Sequence, residues 1–294
     1  MNSIIHDILS YGLPLFIIAV GGIYCERSGV VNMALEGLQG IGAFAGVFTI
    51  VYLSEKFQGQ NVGIMFIGMI FASIAGGILA ILHGVLCLKL KSNQVISGVI
   101  VNTLGMTLTE YFSKRSNRKV WESISNRLLI EVVIIIVIFI AWFVIHNTMF
   151  GIYLRTCGED PYVVETIGKD VIKIRWFAII LSGIFSGLGG ISFACLSGIN
   201  STDGIYCGYG YLAITALILG NWELIPTLRV CLLFGFARTV GYYLADVIQM
   251  ADSYRDLILI LPYGLILLLA IFCSKHKEAP KALGKVYDKD IRQS

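Results

Sequence analysis

Charged residues are scarce in this chain. Only 14% of its 294 residues are charged, whereas 56% are hydrophobic and the mean hydropathy is +0.80. An average soluble domain carries about 25% charged residues, so this chain lacks the polar side chains that a soluble surface of this size requires. The composition excludes a soluble enzyme, a disordered protein and a secreted disulfide scaffold, and a net charge of +3 is too small to indicate nucleic acid. It is typical of a polytopic membrane protein.

The sequence also lacks the short motifs of catalytic and metal-binding sites. It contains no Walker A loop for ATP, no HExxH and no GxSxG. Its seven cysteines form no CxxC pair and its four histidines are scattered, so neither a zinc site nor a redox pair is indicated. We therefore predict that the chain is not an enzyme and has no catalytic residues, metal or cofactor of its own.

Nine apolar runs are long enough to cross a bilayer, which takes roughly 20 residues of helix. Eight of them are free of Asp, Glu, Lys and Arg, and the ninth, 224–248, contains Arg229 and Arg238. They predict an all-α transmembrane domain over 1–274, followed by a tail over 275–294. The predicted spans are 8–25, 37–54, 57–88, 92–109, 132–149, 176–202, 204–222, 224–248 and 257–274.

Two long, polar, basic segments indicate the orientation. Segments 150–175 and 275–294 are separated by four predicted spans, so they lie on the same side of the membrane. Lysine and arginine favour the cytoplasmic side. We therefore predict an external N-terminus and a cytoplasmic C-terminus. The basic loop 113–127, which this arrangement places outside, is an exception to the charge rule.

An amide and an acid follow the first predicted span. Asn32 and Glu36 are four residues apart, so they share a face if this segment is helical. A carboxylate inside a membrane span is costly and faces a cavity or a partner. Either Glu36 pairs with Arg27 near the membrane surface, or Asn32 and Glu36 line a solute pathway.

A cluster of amides and hydroxyls opens the fourth predicted span. Such groups need hydrogen-bond partners in the bilayer core. They could bind a hydroxylated or heterocyclic solute, or they could hold neighbouring helices together. The members of the cluster are Asn93, Gln94, Ser97, Asn102 and Thr103.

Residues 158–168 have the signals of a complete short helix. Asp160 is a good N-cap, Pro161 suits the first helical position, and Gly168 suits a left-handed C-cap. A capped helix of about two turns between spans is either a docking surface for a cytoplasmic partner or a plain connector.

A small-residue face follows and indicates close helix packing; it consists of Ser182, Gly183, Ser186, Gly187 and Gly190.

These segments together resemble the permeases of bacterial nucleoside ABC importers, within the larger group of ribose and branched-chain amino acid permeases. The resemblance covers nearly the whole chain, in order. The segments that carry it include ERSGVVNMALEG (26–37), SNQVISG (92–98), FGIYLRTCGEDPYVVETIG (150–168), LSGIFSGLGG (181–190) and LPYGLILLLAI (261–271).

The resemblance implies a transport subunit with several partners. The chain would be the shorter of two paired permeases in the bacterial cytoplasmic membrane, working with a cytoplasmic ATPase that binds ATP and an external lipoprotein that delivers the nucleoside. Segment 158–168 matches the family's coupling loop, which docks into the ATPase. The docking residues would be Gly158, Glu159, Asp160, Pro161, Tyr162, Glu165 and Gly168. A sugar or branched-chain amino acid as solute, or a stand-alone carrier, are the alternatives.

Overall fold

The structure, a computed structural model, consists of helices joined by short segments. It describes residues 2–57, 62–115, 127–196, 206, 208–247, 260, 264, 268 and 278–287. In these residues the regular elements are ten α-helices and one π-helical turn, without a strand. The helices are α1 (Asn2–Glu26), α2 (Leu35–Lys56), α3 (Val62–Gly84), α4 (Gln94–Arg115), α5 (Arg127–Asn147), α6 (Met149–Glu159), α7 (Pro161–Thr166), α8 (Val171–Leu196), α9 (Tyr209–Leu219) and α10 (Leu224–Val247); the π-helical turn, Val85–Lys89, extends α3.

In the described part of the chain, seven helices are long and apolar enough to cross a membrane: α1, α2, α3 with its π-helical turn, α4, α5, α8 and α10. They confirm the predicted all-α architecture and seven of the nine predicted spans. The last predicted span, 257–274, lies outside the described residues except for positions 260, 264 and 268. Residues 116–126, which form most of the predicted outer loop 113–127, also lie outside them.

The helix in the predicted span 204–222 is shorter than predicted. Helix α9 has 11 residues, about 16 Å at 1.5 Å per residue, which is half of a bilayer core. It begins after Gly208, whose φ is +81°, and ends in a turn where Asn221 and Trp222 have φ near +55°. An uncharged run does not reveal such local breaks, which is why the sequence predicted a full span.

Helix α8 is at the centre of the bundle, packed against α1, α2 and α3. A Cβ at Gly42 would overlap the backbone of Gly187, and a Cβ at Gly183 would overlap the carbonyl of Gly76. These helix contacts therefore depend on glycine, as is common where membrane helices approach closely. The predicted small-residue face is buried in this region and consists of Ser182, Gly183, Ser186, Gly187 and Gly190.

The segment between α1 and α2, residues 27–34, is inserted into the bundle; we call it the inserted loop. Ser28, Val30 and Asn32 are each 0% exposed. Gly29 has a φ of +93°, and a Cβ there would lie 2.7 Å from Nη2 of Arg175. The loop therefore depends on glycine both for its turn and for its close approach to α8.

The two basic segments meet at one end of the bundle. The backbone N–H of Ala282 donates to the carbonyl of Gly158 at 2.8 Å, and that of Gly284 donates to Gly29 at 3.1 Å. Residues 278–287, which we call the tail segment, therefore pack beside α6 and the inserted loop. This agrees with the prediction that 150–175 and the tail share one side. We call this the α7 end of the bundle; that it faces the cytoplasm stays a prediction.

Candidate functional site

Glu36, in the first turn of α2, holds the start of α9. Its Oε1 accepts a hydrogen bond from the N–H of Gly208 at 2.9 Å, and its Oε2 accepts one from Gly210 at 2.5 Å. The first N–H groups of a helix have no partner within it and form the positive end of its dipole, so a carboxylate stabilises them. A Cβ at Gly210 would overlap the Glu36 backbone. The alternative in which Glu36 pairs with Arg27 is therefore wrong, because its carboxylate binds α9 instead.

Asn102, on α4, joins the inserted loop to α9. Its Oδ1 accepts a hydrogen bond from the N–H of Gly37 at 2.7 Å. Its Nδ2 donates to the carbonyl of Met33 at 2.7 Å and to the hydroxyl of Tyr211 at 3.0 Å. One amide thus connects α4, the end of the inserted loop, α2 and α9.

Asn32 fastens the inserted loop to the central helix. Its Nδ2 donates to Oγ of Ser182 on α8 at 2.7 Å, and its Oδ1 accepts from the N–H of Ala34 at 3.1 Å. Asn32 is 0% exposed. A buried amide with both ends bonded in this way fixes the loop at a defined height on α8.

Gln94 and Ser97, at the start of α4, support the middle of the same loop. Oε1 of Gln94 accepts from the N–H of Val31 at 2.7 Å. Ser97 bonds Nδ1 of His83 at 2.9 Å, and Nε2 of that ring lies 3.1 Å from the carbonyl of Val31. Buried backbone groups require such partners, and here side chains of α3 and α4 provide them.

The predicted pathway residues thus separate into two groups. Asn32, Glu36, Gln94, Ser97 and Asn102 are buried and bonded inside the chain, which fits the alternative of interhelical bonding. The other two are exposed: Asn93 caps the N-terminus of α4, and Thr103 bonds only the carbonyl one turn earlier. A solute would contact Asn93 and Thr103 directly. The buried residues would affect it only by keeping the surrounding helices in place.

Helix α4 has an exposed polar face. Thr103, Thr107, Glu110 and Lys114 are spaced by four, three and four residues, so they lie along one side of the helix, with Lys114 Nζ 2.5 Å from Glu110 Oε1. Helix α4 is the least apolar of the seven spans, yet only 33% of the residues in its most apolar stretch are buried inside the protein. Charged side chains facing lipid are costly, so protein or water rather than lipid covers this face.

Helix α4 also exposes large hydrophobic side chains, such as Ile96 and Ile100, whereas on helix α5 the exposed side chains between positions 132 and 143 are all of this kind. Helix α5 is the most apolar span and is 28% buried, and its exposed side chains are large and hydrophobic, such as Ile136, Phe139 and Ile140. This is the composition of a lipid-facing surface. Next to α4, Tyr211 of α9 is 44% exposed. We call the surface formed by Thr103, Thr107, Glu110 and Tyr211 the α4–α9 face.

Helix α7 is a short, exposed projection at the α7 end. The carboxylate of Asp160 accepts from the N–H of Tyr162 at 2.9 Å, and Pro161 occupies the first position of the helix. Gly168 has a φ of +75°, so it adopts the left-handed conformation that the sequence indicates. Val163 and Ile167 are 46% and 54% exposed. Exposed apolar side chains on a self-capped helix are suited to a hydrophobic groove of another protein.

The tail segment holds α7 in place. The ring of Tyr287 lies 5.7 Å from that of Tyr162, and its hydroxyl is next to the carboxylate of Glu165. Partial burial, followed by the neighbouring Glu165 carboxylate, raises the pKa of Tyr287 to about 12. Helix α7 is therefore fixed to the tail on one side and exposed on the other.

Arg175 connects the tail segment to the inserted loop. Its side chain is 1% exposed, its Nε donates to the carbonyl of Ser28 at 3.1 Å, and its Nη1 donates to that of Lys285 at 3.3 Å. A buried guanidinium needs such acceptors. It therefore fixes the first residues of the inserted loop to the tail.

Arg27 connects the segment before α7 to the turn after α9. Its Nε donates to the carbonyl of Trp222 at 2.9 Å, and its Nη1 lies 4.0 Å from Oε1 of Glu159. The neighbouring Glu26 accepts from the indole N–H of Trp222. We call Glu26, Arg27 and Trp222 the corner cluster. The cluster therefore links the end of α6, just before α7, to the end of α9.

Sequence reasoning missed Arg175, Tyr211, Trp222 and Tyr287. Each acts through a residue more than a hundred positions away, and no local pattern marks such pairs. The only available signal was an arginine or a tryptophan beside a span, which occurs at many membrane surfaces.

Comparisons with known proteins agree with this architecture. The family model described as the permease component of branched-chain amino acid transport systems matches residues 4–271. The chain belongs to this family. It is 31% identical to the guanosine ABC transporter permease protein NupQ of Bacillus subtilis, over 99% of this chain and 98% of that protein. It is 29% identical to the nucleoside ABC transporter permease protein NupC of Lactococcus lactis, over 98% of each.

A solved structure shares the fold. PsaBC from Streptococcus pneumoniae, in complex with Fab, superposes with a TM-score of 0.52 over 94% of this chain and 92% of that chain, at 16% identity. At this identity the likeness concerns the fold alone. Family membership and the seven apolar helices establish a multi-pass membrane permease component.

Proposed function

We propose that the chain is a permease subunit of an ATP-driven ABC importer for nucleosides. The observation that carries the proposal is the near full-length similarity to two nucleoside permeases, in a chain whose segment between α6 and α8 forms a capped, exposed helix. The missing Walker A loop requires the ATPase to be a separate subunit. The chain acts in the bacterial cytoplasmic membrane, with the α7 end in the cytoplasm and the N-terminus outside.

Three partners correspond to three surfaces. The ATPase binds α7, whose exposed Val163 and Ile167 enter a groove on it. The second permease covers the α4–α9 face, so that Thr103 and Thr107 border the solute pathway between the two subunits. The external lipoprotein delivers the nucleoside at the end of the bundle opposite α7.

The corner cluster carries movement from the ATPase to the pathway. When the ATPase closes on ATP it displaces α7, and Glu159 moves Arg27 with it. Arg27 and Glu26 hold Trp222, so the end of α9 moves as well. Because Glu36 fixes the other end of α9, this half-length helix tilts as a rigid body and changes the side on which the pathway is open.

ATP provides the free energy that shifts the equilibrium between the states in which the pathway is open to one side or to the other. A solute that binds both states equally cannot shift this equilibrium. The exposed hydroxyls of Thr103, Thr107 and Tyr211 suit a neutral solute with donors and acceptors. The family description favours a second candidate, a branched-chain amino acid. A zwitterion of that kind requires an unpaired acid and base on the pathway, whereas Glu110 on the α4–α9 face is paired with Lys114 of the same helix.

The test of the solute class is competition during uptake. Proteoliposomes would contain this chain with the permease and ATPase that co-purify from its host, and the external lipoprotein. We expect ATP-dependent uptake of labelled adenosine or uridine that unlabelled nucleosides inhibit and that ribose and leucine do not. Inhibition only by ribose or only by leucine would replace the nucleoside by that solute.

A further inference from the structure

A polar pocket lies at the end of the bundle opposite α7, where α1 begins and α8 ends. Its volume is about 340 Å³, enough for a molecule of the size of a nucleoside. None of the contacts described above involves it. The pocket is lined by Asp7, Ser10, Tyr11, Leu196, Thr239, Tyr242 and Tyr243.

The aromatic wall of the pocket is held by a cation. The guanidinium of Arg238 lies 4.1 Å from the ring centroid of Tyr11 and 5.6 Å from that of Tyr242. Tyr209 packs against the same guanidinium at 5.2 Å. Cation–π contacts of this kind fix ring orientation. Arg238 is not among the residues that line the pocket, although its Nη2 donates to the hydroxyl of Tyr242 at 3.5 Å.

The charged residue that lines the pocket is an acid, Asp7. It accepts a hydrogen bond from the hydroxyl of Tyr243 at 3.1 Å. Behind the lining, Glu131 accepts from Ser10 at 3.2 Å and lies 3.8 Å from Nδ1 of His6. A carboxylate accepts several hydrogen bonds, so Asp7 can accept more from the vicinal hydroxyls of a ribose. The same negative charge repels a phosphate group.

One polar side chain of the pocket lining has no hydrogen-bond partner among the residues that the structure describes. Thr239 is 2% exposed, and its Oγ1 forms no hydrogen bond with any of them. An unsatisfied buried hydroxyl costs free energy that a ligand donor or acceptor recovers. Flat rings, an acid and an unsatisfied hydroxyl are together the chemistry that recognises a base and a ribose.

We propose that this pocket is an entry site on the permease that binds a neutral nucleoside and rejects its phosphorylated forms. The proposal rests on the proposed function for the solute class, and it adds a binding site within this subunit. The rings of Tyr11 and Tyr242 hold the base, Asp7 accepts from the ribose, and Thr239 completes the set of hydrogen bonds.

Thr239→Val tests the site with a nearly isosteric change. The half-saturating concentration of adenosine or uridine for uptake by the complete transporter, with excess external lipoprotein, is expected to rise about fivefold, as for the loss of one hydrogen bond. Thermal stability is expected to stay unchanged or to rise, because a buried hydroxyl without a partner is removed. Tyr242→Leu, which removes a ring of the wall, is expected to raise the half-saturating concentration as well.

Thr227→Val is the matched control. Thr227 lies on the same helix, is 0% exposed and also has an unpartnered Oγ1, but it is outside the pocket. The nucleoside concentration that half-saturates uptake by the Thr227→Val transporter is expected to equal that of the unmodified transporter. If Thr239→Val and Tyr242→Leu also leave this concentration unchanged while nucleoside is still transported, the entry site is wrong and the proposed function stands. If the unmodified transporter moves no nucleoside, the proposed function itself fails.

Asp7→Asn tests the rejection of phosphate. Inhibition of adenosine uptake by AMP is expected to be weak for the unmodified transporter and to strengthen at least about fivefold for Asp7→Asn, because the charge repulsion is removed. Equal inhibition by AMP before and after the change would remove the selective role of Asp7 and with it this part of the proposal.

Discussion

The indole N–H of Trp222 donates a 2.5 Å hydrogen bond to Oε2 of Glu26, although 196 positions separate the two residues. Trp222 is in the turn that ends α9, and Glu26 is the last residue of α1. Arg27 bonds the carbonyl of the same tryptophan and reaches Glu159 just before α7. Three separate parts of the chain therefore meet at one corner, and the proposed transmission of movement depends on it.

Trp222→Phe removes this hydrogen bond and keeps most of the ring. We expect uptake to fall about tenfold while ATP hydrolysis by the complete transporter is retained, because the end of α9 keeps the bond to Arg27 but loses the one to Glu26 and follows the corner cluster less closely. The measurement is the number of nucleoside molecules taken up per ATP hydrolysed. Trp142→Phe, at a tryptophan of α5 outside the corner cluster, is the control and should leave the ratio unchanged. Equal losses of uptake and hydrolysis in Trp222→Phe would contradict transmission through this corner.

Glu36→Gln removes the negative charge at the start of α9 and keeps the shape of the side chain. Hydrogen bonds to charged groups contribute about 1.5–3 kcal/mol, so we expect the stability to fall by about 1–3 kcal/mol. Thermal unfolding of the detergent-solubilised transporter would show this as a lower Tm. Glu159→Gln, at a carboxylate that is 47% exposed, should change Tm little. An unchanged Tm in Glu36→Gln would show that the charge does not stabilise α9.

Asp160→Ala removes the N-cap of α7 and should cost this short helix about 1 kcal/mol. Because the exposed helix is the proposed docking surface, we expect co-purification of the ATPase to weaken several-fold while membrane insertion stays intact. Pro161→Gly should act in the same direction, because it loosens the first turn. Thr156→Ala, at an exposed hydroxyl of α6, is the control. Unchanged co-purification in both α7 variants would exclude α7 as the docking surface.

The contact of Tyr287 with Glu165 should be insensitive to pH over the physiological range. The pKa of Tyr287 in the folded protein is about 12, above its usual value of 10. The stabilisation by the neutral tyrosine is therefore complete below pH 10 and is lost as the pH rises through about 12. The difference in tyrosinate absorbance between the unmodified protein and Tyr287→Phe measures this titration. A midpoint near pH 10 would contradict the contact.

Much of the fold was predictable because membrane spans and helix caps are local signals. Runs without charged residues located six of the seven long helices, since a charge in the bilayer core is costly wherever it occurs, and an apolar run with two arginines located the seventh, α10. Asp160, Pro161 and Gly168 predicted α7 because each of these residues favours one backbone conformation at one position.

The remaining features depend on contacts between distant segments. The pairing of Glu36 with Arg27, one of the two alternatives that the sequence leaves open, rests on their closeness in sequence, whereas α9 offers Glu36 two N–H groups 172 and 174 positions away. The amides of the predicted pathway could equally bind a solute or the chain itself, and only the insertion of residues 27–34 decides which groups they reach. The 11-residue length of α9 likewise follows from the left-handed backbone at Gly208 before it and at Asn221 and Trp222 after it, which no uncharged run reveals.

The central claim is that this chain moves nucleoside only when an ATPase drives it. The most direct measurement is uptake of labelled adenosine and uridine by proteoliposomes containing this chain, its permease partner, the external lipoprotein and either the active ATPase or a variant that binds ATP without hydrolysing it. We predict uptake against a concentration gradient with the active ATPase and none beyond equilibration with the variant. Equal accumulation with both, or transport by this chain alone without ATP, would contradict the account.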